Sequence, residues 1–359
     1  MDALRKIRVL VVDDSAFMRK AIRNILNSSK DMEVVATARD GLDAIKKVTD
    51  YQPDVITLDI EMPRLEGLQT LGYIMSECPT PVVMLSAYTE SGGVTTMKAL
   101  EYGAVDFVCK PSGPISLDLD KVEQELIAKV RTASQVDVRR LSFVDIERLV
   151  KGPTLPLAAP SERQAVVIAT STGGPRALYE IIPRLPADLP APVLVVQHMS
   201  QGFTKSLADR MDVACALNVK EAEEGEEVKV GRVYIAPGNY HMAVFREGNR
   251  EFIRLNQEPP RHSVRPSADV TLETAAKVYG ANCLGVVLTG MGHDGAAGAK
   301  AVKLAGGQVV VQDEPTSVVF GMPKSAIDAG AADVILPLPD IAEEIVRRVR
   351  LSKANLHSF

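Results

Sequence analysis

Apolar and polar positions are arranged in blocks along this chain. In the first third, mainly apolar runs at 7–12, 34–38, 54–58, 81–85 and 105–109 alternate with stretches of helical period, among them one through Ala16, Ile22 and Leu26, one over 42–48 and a last one from 117 to about 130. Runs apolar on both faces are strands of a parallel sheet, and strands alternating with helices predict a doubly wound five-stranded α/β domain. The same grammar returns after residue 164. Runs at 165–169, 192–196, 283–288, 308–311 and 333–336 are separated by helical patterns at about 176–182, 203–211 and 268–279. Three shorter runs, 231–236, 241–246 and 251–255, joined by the turns P-G-N-Y and R-E-G-N-R, read as an antiparallel insertion in this second α/β domain, whose sheet is otherwise mainly parallel.

Between the two patterns the chain changes character. Residues 131–163 carry charges and then K-G-P-T-L-P-L-A-A-P-S-E-R, a Pro-rich string that reads as a semi-rigid spacer, with a short helix at 143–150. The expected division is therefore a domain over 1–134, a linker over 135–163 and a second domain over 164–359. At 359 residues the chain has room for two cores.

Composition narrows the class. Apolar residues make up 46% and charged residues 24%, ordinary for a globular protein. The net charge of −5 offers no basic field for nucleic acid or anionic lipid. No apolar run is long enough to span a bilayer, and the N-terminus lacks the h-region of a signal peptide. Cys78, Cys109, Cys215 and Cys283 are scattered without a C-x-x-C, which points to buried free thiols in a reducing cytosol.

The chemistry lies where the strands end. In the first domain these ends carry Asp13-Asp14-Ser15, Asp59, Ser86 and Lys110, which converge on one rim of a doubly wound sheet. Each acid alone is an ordinary strand-end or capping residue. Together they would repel unless a hard cation neutralised them, and oxygen ligands suit Mg²⁺. D-D-S at 13–15, D-x-x-M-P at 59–63, S-A at 86–87 and K-P at 110–111 resemble, in order, the signature of a response-regulator receiver domain. The resemblance implies Asp59 as phosphoacceptor, Asp13, Asp14 and Asp59 as Mg²⁺ ligands, and Ser86 and Lys110 as contacts of the phosphoryl group.

In the second domain the run at 165–169 breaks into Thr170-Ser171-Thr172-Gly173-Gly174, with Pro175 suited to a first helical turn. Three readings compete. The hydroxyls cap a helix; Ser171 is a nucleophile lifted on a tight turn; or the glycines cradle a phosphate, although no Lys follows as in a Walker loop. His198 and Asp294 also follow buried runs, and a serine needs a base that a carboxylate can orient. The order Ser, His, Asp leaves their roles to geometry. Among the other histidines, His241 and His262 are placed to line a substrate cleft. His293 adjoins Asp294, and because neighbours on a glycine-rich turn point apart it is a poor triad base; His357 lies in the tail. The glycines around Met291 supply backbone N–H groups for an oxyanion, where one donor contributes about 10²–10³ in rate.

S-T-G-G at 171–174, Q-H-M at 197–199, R-P-S-A-D at 265–269, T-G-M-G-x-D-G at 289–295 and D-E-P-T-S-V-V-F-G-M-P at 313–323 resemble the catalytic domain of the chemotaxis protein-glutamate methylesterases, the CheB family. A receiver ahead of that domain is the family's own arrangement. The resemblance implies Ser171 as nucleophile, His198 as base and Asp294 as its orienter, with Thr172 and the Met291 backbone supporting the oxyanion. Ser200 departs from the usual Q-H-M-P and leaves the triad untouched. The implied activity is hydrolysis of glutamate γ-methyl esters on chemoreceptors, with deamidation of receptor glutamines, in a cytoplasmic monomer recruited to receptor clusters. The implied phosphodonor is a chemotaxis histidine kinase. Mg²⁺ would serve phosphorylation, and ester hydrolysis would need no cofactor. A DNA-binding regulator would instead require a compact basic helix-turn-helix module after the receiver, and a nucleotide-binding module would use S-T-G-G as its cradle.

Overall fold

A computed structural model of the chain describes residues 5–87, 90–110, 119–138 and 164–351. The chain divides into two compact units, Met1–Val144 and Asp145–Phe359. The expected helix at 143–150, the Pro-rich string at 151–163, Pro111 and His357 lie outside the described residues.

The first unit runs β1 (Ile7–Val12), α1 (Ala16–Ser28), β2 (Met32–Ala38), α2 (Gly41–Tyr51), β3 (Val55–Asp59), α3 (Gly67–Glu77), β4 (Val82–Ser86), α4 (Glu90–Glu101), β5 (Asp106–Cys109) and α5 (Leu119–Ala133). Its strands form one parallel sheet in the order β2-β1-β3-β4-β5. β3 and β4 are buried along their whole length, as strands covered on both faces must be. Short polar side chains start the helices: Ser15 accepts from the Met18 N–H and Asp40 from the Asp43 N–H. The strand order reverses between β1 and β3, which opens a crevice at their carboxyl ends, beside Asp13 and Asp59.

The second unit runs β6 (Ala165–Thr170), α6 (Gly174–Ile181), β7 (Val193–Gln197), α7 (Phe203–Ala214), β8 (Asn218–Glu221), β9 (Arg232–Ile235), β10 (His241–Glu247), β11 (Arg250–Asn256), α8 (Ala268–Tyr279), β12 (Cys283–Val287), α9 (Ala296–Leu304), β13 (Gln308–Gln312), α10 (Met322–Asp328), β14 (Val334–Leu336) and α11 (Leu338–Leu351). A seven-stranded parallel sheet has the order β14-β13-β12-β6-β7-β9-β8. One core joins Ala165, Val167 and Ala169 of β6 to Leu272, Ala275 and Ala276 of α8 and to Val287, Val309 and Val311. Successive strands build outward from β6 through β7 on one side, and from β12 on the other, so β6 stands at the switch point.

Two details differ from the sequence expectation. Of the three runs, those of β10 and β11 form an antiparallel pair, whereas the run at 231–236 yields β9, a parallel member of the main sheet. Its edge partner β8 was not anticipated, because Val219 is its one buried residue and the segment N-V-K-E carries no apolar run. An edge strand buries little, so its hydrophobic signal is weak.

Candidate functional site

Strand register sets the second unit's site. Thr170 of β6 pairs with Gln197 of β7, so Ser171 and His198 stand one step beyond paired strand ends. On the other flank Val287 of β12 pairs with Ala169, and the Ser171 N–H donates to the Thr289 carbonyl at 3.1 Å. Ser171 is thus held between the segment carrying His198 and the segment leading to Asp294. The Thr170 hydroxyl donates to the Thr289 carbonyl at 3.0 Å, and Gly173, at φ 78°, is the N-cap of α6 with no side-chain cap bond. The turn hydroxyls therefore do not cap this helix. Ser171 Oγ makes no hydrogen bond among the described residues and is half-buried.

His198 Nε2 lies 2.7 Å from Asp294 Oδ2. That leaves Nδ1 as the ring nitrogen available to Ser171. Asp294 is buried at the N-terminus of α8: Oδ1 accepts from the Ser267 hydroxyl at 2.6 Å and the Asp269 N–H at 3.2 Å, and Oδ2 from the Ala268 N–H at 2.6 Å. Burial alone would raise its pKa. The bonds from His198, Ser267 and Ala268 outweigh burial and bring it down to about 2. The free amides and dipole of a helix N-terminus favour the same ionised state.

Thr172 is buried directly after Ser171, and Met291 is exposed directly after Gly290. A side chain on Gly290 would put its Cβ 2.8 Å from Ser171 Cβ, so the Gly290 backbone packs against the serine. The 289–295 segment thus meets the Ser171 turn at Gly290 and at Thr289, whose hydroxyl donates to the Thr172 carbonyl at 3.0 Å.

Sequence reasoning missed two residues here. Ser267 sits in the R-P-S-A-D string, but its bond to Asp294 spans 27 positions and has no local signature. Gln197 closes β7 and is buried; its Nε2 donates to the Ser171 carbonyl at 2.9 Å and the His198 carbonyl at 3.1 Å.

The other histidines divide. His241 does not line a cleft. It is buried in β10, where its Nδ1 accepts from the Ser267 N–H and its Nε2 lies 3.2 Å from the Pro259 carbonyl. Its burial comes from the segments of Ser267 and Pro259 that meet its ring, since the core-facing residues of β10 are Met242 and Val244. His262 is exposed, with Nε2 2.9 Å from Asp269 Oδ2, and its ring meets the edge of His293. His262, Asp269 and Asp294 offer ligand atoms within 4.8 Å of one another, but both Asp294 oxygens are already engaged by His198 and the start of α8.

In the first unit Lys110 Nζ bridges Asp13 Oδ2 at 2.8 Å and Asp59 Oδ2 at 2.7 Å. Asp13 and Asp59 are buried and Asp14 is exposed, with one oxygen of each within 4.8 Å of the others. Burial pushes the Asp59 carboxyl up to about 6; Lys110 pulls the other way and the Asp13 charge adds to the rise. Lys110 is raised, its two carboxylate bonds outweighing burial. A set of hard oxygen donors with surplus negative charge fits Mg²⁺. Ser86 is buried at the end of β4, where its hydroxyl accepts from Thr96 Oγ1 at 2.8 Å.

A family model described as CheB methylesterase matches residues 166–345, and one described as response regulator receiver domain matches residues 9–119. The protein-glutamate methylesterase/protein-glutamine glutaminase of Pyrococcus abyssi is 49% identical over 353 residues, covering 97% of this chain and 95% of its own. Its namesake from Thermotoga maritima is 50% identical over 346 residues, covering 96% and 99%. The crystal structure of the Thermotoga maritima CheB methylesterase catalytic domain is 51% identical, covers 52% of this chain and 99% of its own, and superposes with a TM-score of 0.51. Among the described residues no helix is long and apolar enough to cross a membrane.

Proposed function

The chain belongs to the CheB methylesterase family, with a receiver domain ahead of the esterase domain, and from that membership we propose that it hydrolyses glutamate γ-methyl esters of chemoreceptors and deamidates receptor glutamines. The observation that carries this reading is the pairing of His198, at the strand end next to that of Ser171, with the buried Asp294.

In the proposed reaction His198 holds its proton on Nε2, toward Asp294, and Nδ1 takes the proton of Ser171 Oγ. The alkoxide attacks the ester carbonyl. The Thr172 and Met291 backbones face the oxyanion of the tetrahedral intermediate. Collapse expels methanol, which receives its proton from His198, or ammonia when the substrate is a glutamine. Water, deprotonated by the same imidazole, then attacks the acyl-enzyme, releases glutamate and restores Ser171.

Asp59 is the proposed phosphoacceptor, fed by a histidine kinase of the chemotaxis system. Asp13, Asp14 and Asp59 would hold Mg²⁺, and Ser86 and Lys110 would contact the phosphoryl oxygens. Bound Mg²⁺ would offset charge on the transferring group. We assign 1–134 to the receiver, 135–163 to the linker and 164–359 to the esterase of a monomeric cytoplasmic enzyme recruited to receptor clusters. In this reading the unphosphorylated receiver restrains the esterase, and the charge added at Asp59 releases it.

Methanol release from methylated receptor membranes tests the reading, with wild type and Ser171→Ala each measured with and without a small phosphodonor and Mg²⁺. Stimulated release that disappears in Ser171→Ala is expected. Release without stimulation would discard the switch and keep the esterase, whereas no release from phosphorylated wild type would discard the esterase.

A further inference from the structure

We propose that Gln197 is a positioning residue that sets the spacing between Ser171 and His198; the inference rests on the reading of those two residues as nucleophile and base. The β6–β7 ladder reaches its last register pair at Thr170 and Gln197. Beyond it a single backbone bond, from the His198 N–H to the Thr170 carbonyl at 3.1 Å, continues the pairing. Ser171 and His198 therefore project from two chain ends that strand pairing no longer holds in register.

Gln197 closes that gap. A primary amide has two N–H donors on one nitrogen. Gln197 Nε2 meets the Ser171 carbonyl at 2.9 Å and the His198 carbonyl at 3.1 Å, so one rigid planar group ties both peptide units together. The group is buried, which shields both bonds from competing water.

Two further observations show that the fold accepts costs to keep this amide in place. Gln197 Oε1 is buried without a hydrogen-bond partner among the described residues, an arrangement folded proteins avoid unless something else fixes the group. Gly174, in the first turn of α6, leaves the space it occupies: a Cβ there would lie 2.1 Å from Gln197 Oε1 and 2.4 Å from Thr170 Oγ1. Gly174 is helical, so its lack of a side chain answers to this close approach and not to its backbone angles.

Neither carbonyl reacts, so the amide acts through Ser171 and His198 without touching substrate. Loss of its donors should lower turnover and leave substrate binding in place, because near-attack geometry is sensitive to small displacements. Gln197→Met keeps the length and loses both donors. Gln197→Glu keeps the shape; ionised, it sets a carboxylate against two carbonyl oxygens, and protonated it recovers one donor.

The test is steady-state demethylation by the phosphorylated full-length enzyme across the pH range in which wild type is active, with melting temperatures recorded for each variant. Gln197→Met is expected to lose about 10- to 100-fold in kcat with KM within about twofold of wild type. The activity of Gln197→Glu relative to wild type is expected to rise as pH falls, as its carboxyl protonates. Wild-type kcat in Gln197→Met, a change confined to KM, or a pH-independent Gln197→Glu ratio would overturn the proposal. Ser171→Ala is run alongside: activity surviving in that variant would instead overturn the assignment of the nucleophile.

Discussion

The Ser267 hydroxyl donates to Asp294 Oδ1 at 2.6 Å, opposite the 2.7 Å contact between His198 and the other carboxylate oxygen. Asp294 is thus fixed by the start of α8 as firmly as it fixes the imidazole. A hydrogen bond to a charged group contributes about 1.5–3 kcal/mol, and the Ala268 and Asp269 amides would keep part of the orientation without Ser267. Ser267→Ala is expected to lower kcat about 3- to 30-fold with KM little changed. Asp294→Asn, which cannot stabilise the imidazolium, is expected to lose about 10³–10⁴-fold. Methanol release at saturating substrate separates the two. Equal losses would show that Ser267 does more than orient the carboxylate.

The same carboxylate ties stability to pH. Folded Asp294 titrates at about 2, below an unfolded carboxyl at about 3.9. A depressed folded pKa contributes stability that is fully present above the unfolded value and is lost as pH falls through the folded one. The part of the stability difference between wild type and Asp294→Asn that comes from the carboxylate's own titration is therefore expected to shrink between about pH 4 and pH 2. Glu344, brought down to about 2 by bonds from Arg347 and then Arg348, predicts the same for Glu344→Gln in α11. Denaturant midpoints across this pH range check both, and a difference that grew toward acid would contradict the sign.

The central strands were legible because their residues are apolar on both faces, and a short β-branched run such as Val166-Val167-Ile168, ended by a glycine turn, favours a buried strand. Ser171, His198 and Asp294 could be located for the same reason, since each follows such a run. Partner choice was less legible. β9 is followed by P-G-N-Y, which looks like the turn of a hairpin, and its pattern does not say whether its neighbour is parallel. The support of the site was least legible. The Asp294–Ser267 bond and the Gln197 amide act across strand ends and helix starts, where contacts depend on tertiary placement and leave no period in the sequence.

Gly290 shows how closely the nucleophile is packed. A Cβ at this position would lie 2.3 Å from Met322 Sδ and 2.8 Å from Ser171 Cβ. The thioether can rotate away, but Ser171 Cβ is tied to the backbone and can move only with the turn. Gly290→Ala is expected to cost about 1–3 kcal/mol of stability from overpacking and to lower kcat more than tenfold. Calorimetry and methanol release measure the two effects. A variant with reduced stability and wild-type kcat would show that Met322 absorbs the clash alone.

In the receiver, Lys110 is the cation that bridges the buried Asp13 and Asp59. Removing one partner from a buried ion cluster costs about 3–5 kcal/mol, because the charges left behind have no compensation. Lys110→Met is therefore expected to lower the receiver's melting temperature in metal-free buffer. A ligand that binds only the folded state stabilises it in proportion to its affinity, and two unneutralised carboxylates should bind Mg²⁺ more tightly than a lysine-bridged pair. Added Mg²⁺ should accordingly raise the melting temperature of Lys110→Met more than that of wild type. Chelating the metal should abolish phosphodonor-stimulated methanol release and leave basal release unchanged, as should Asp59→Asn with Mg²⁺ present. Equal small shifts in both proteins on Mg²⁺ titration would mean that the three carboxylates are not where the cation binds. Stimulation that survived both chelation and Asp59→Asn would remove the phosphoacceptor from this rim.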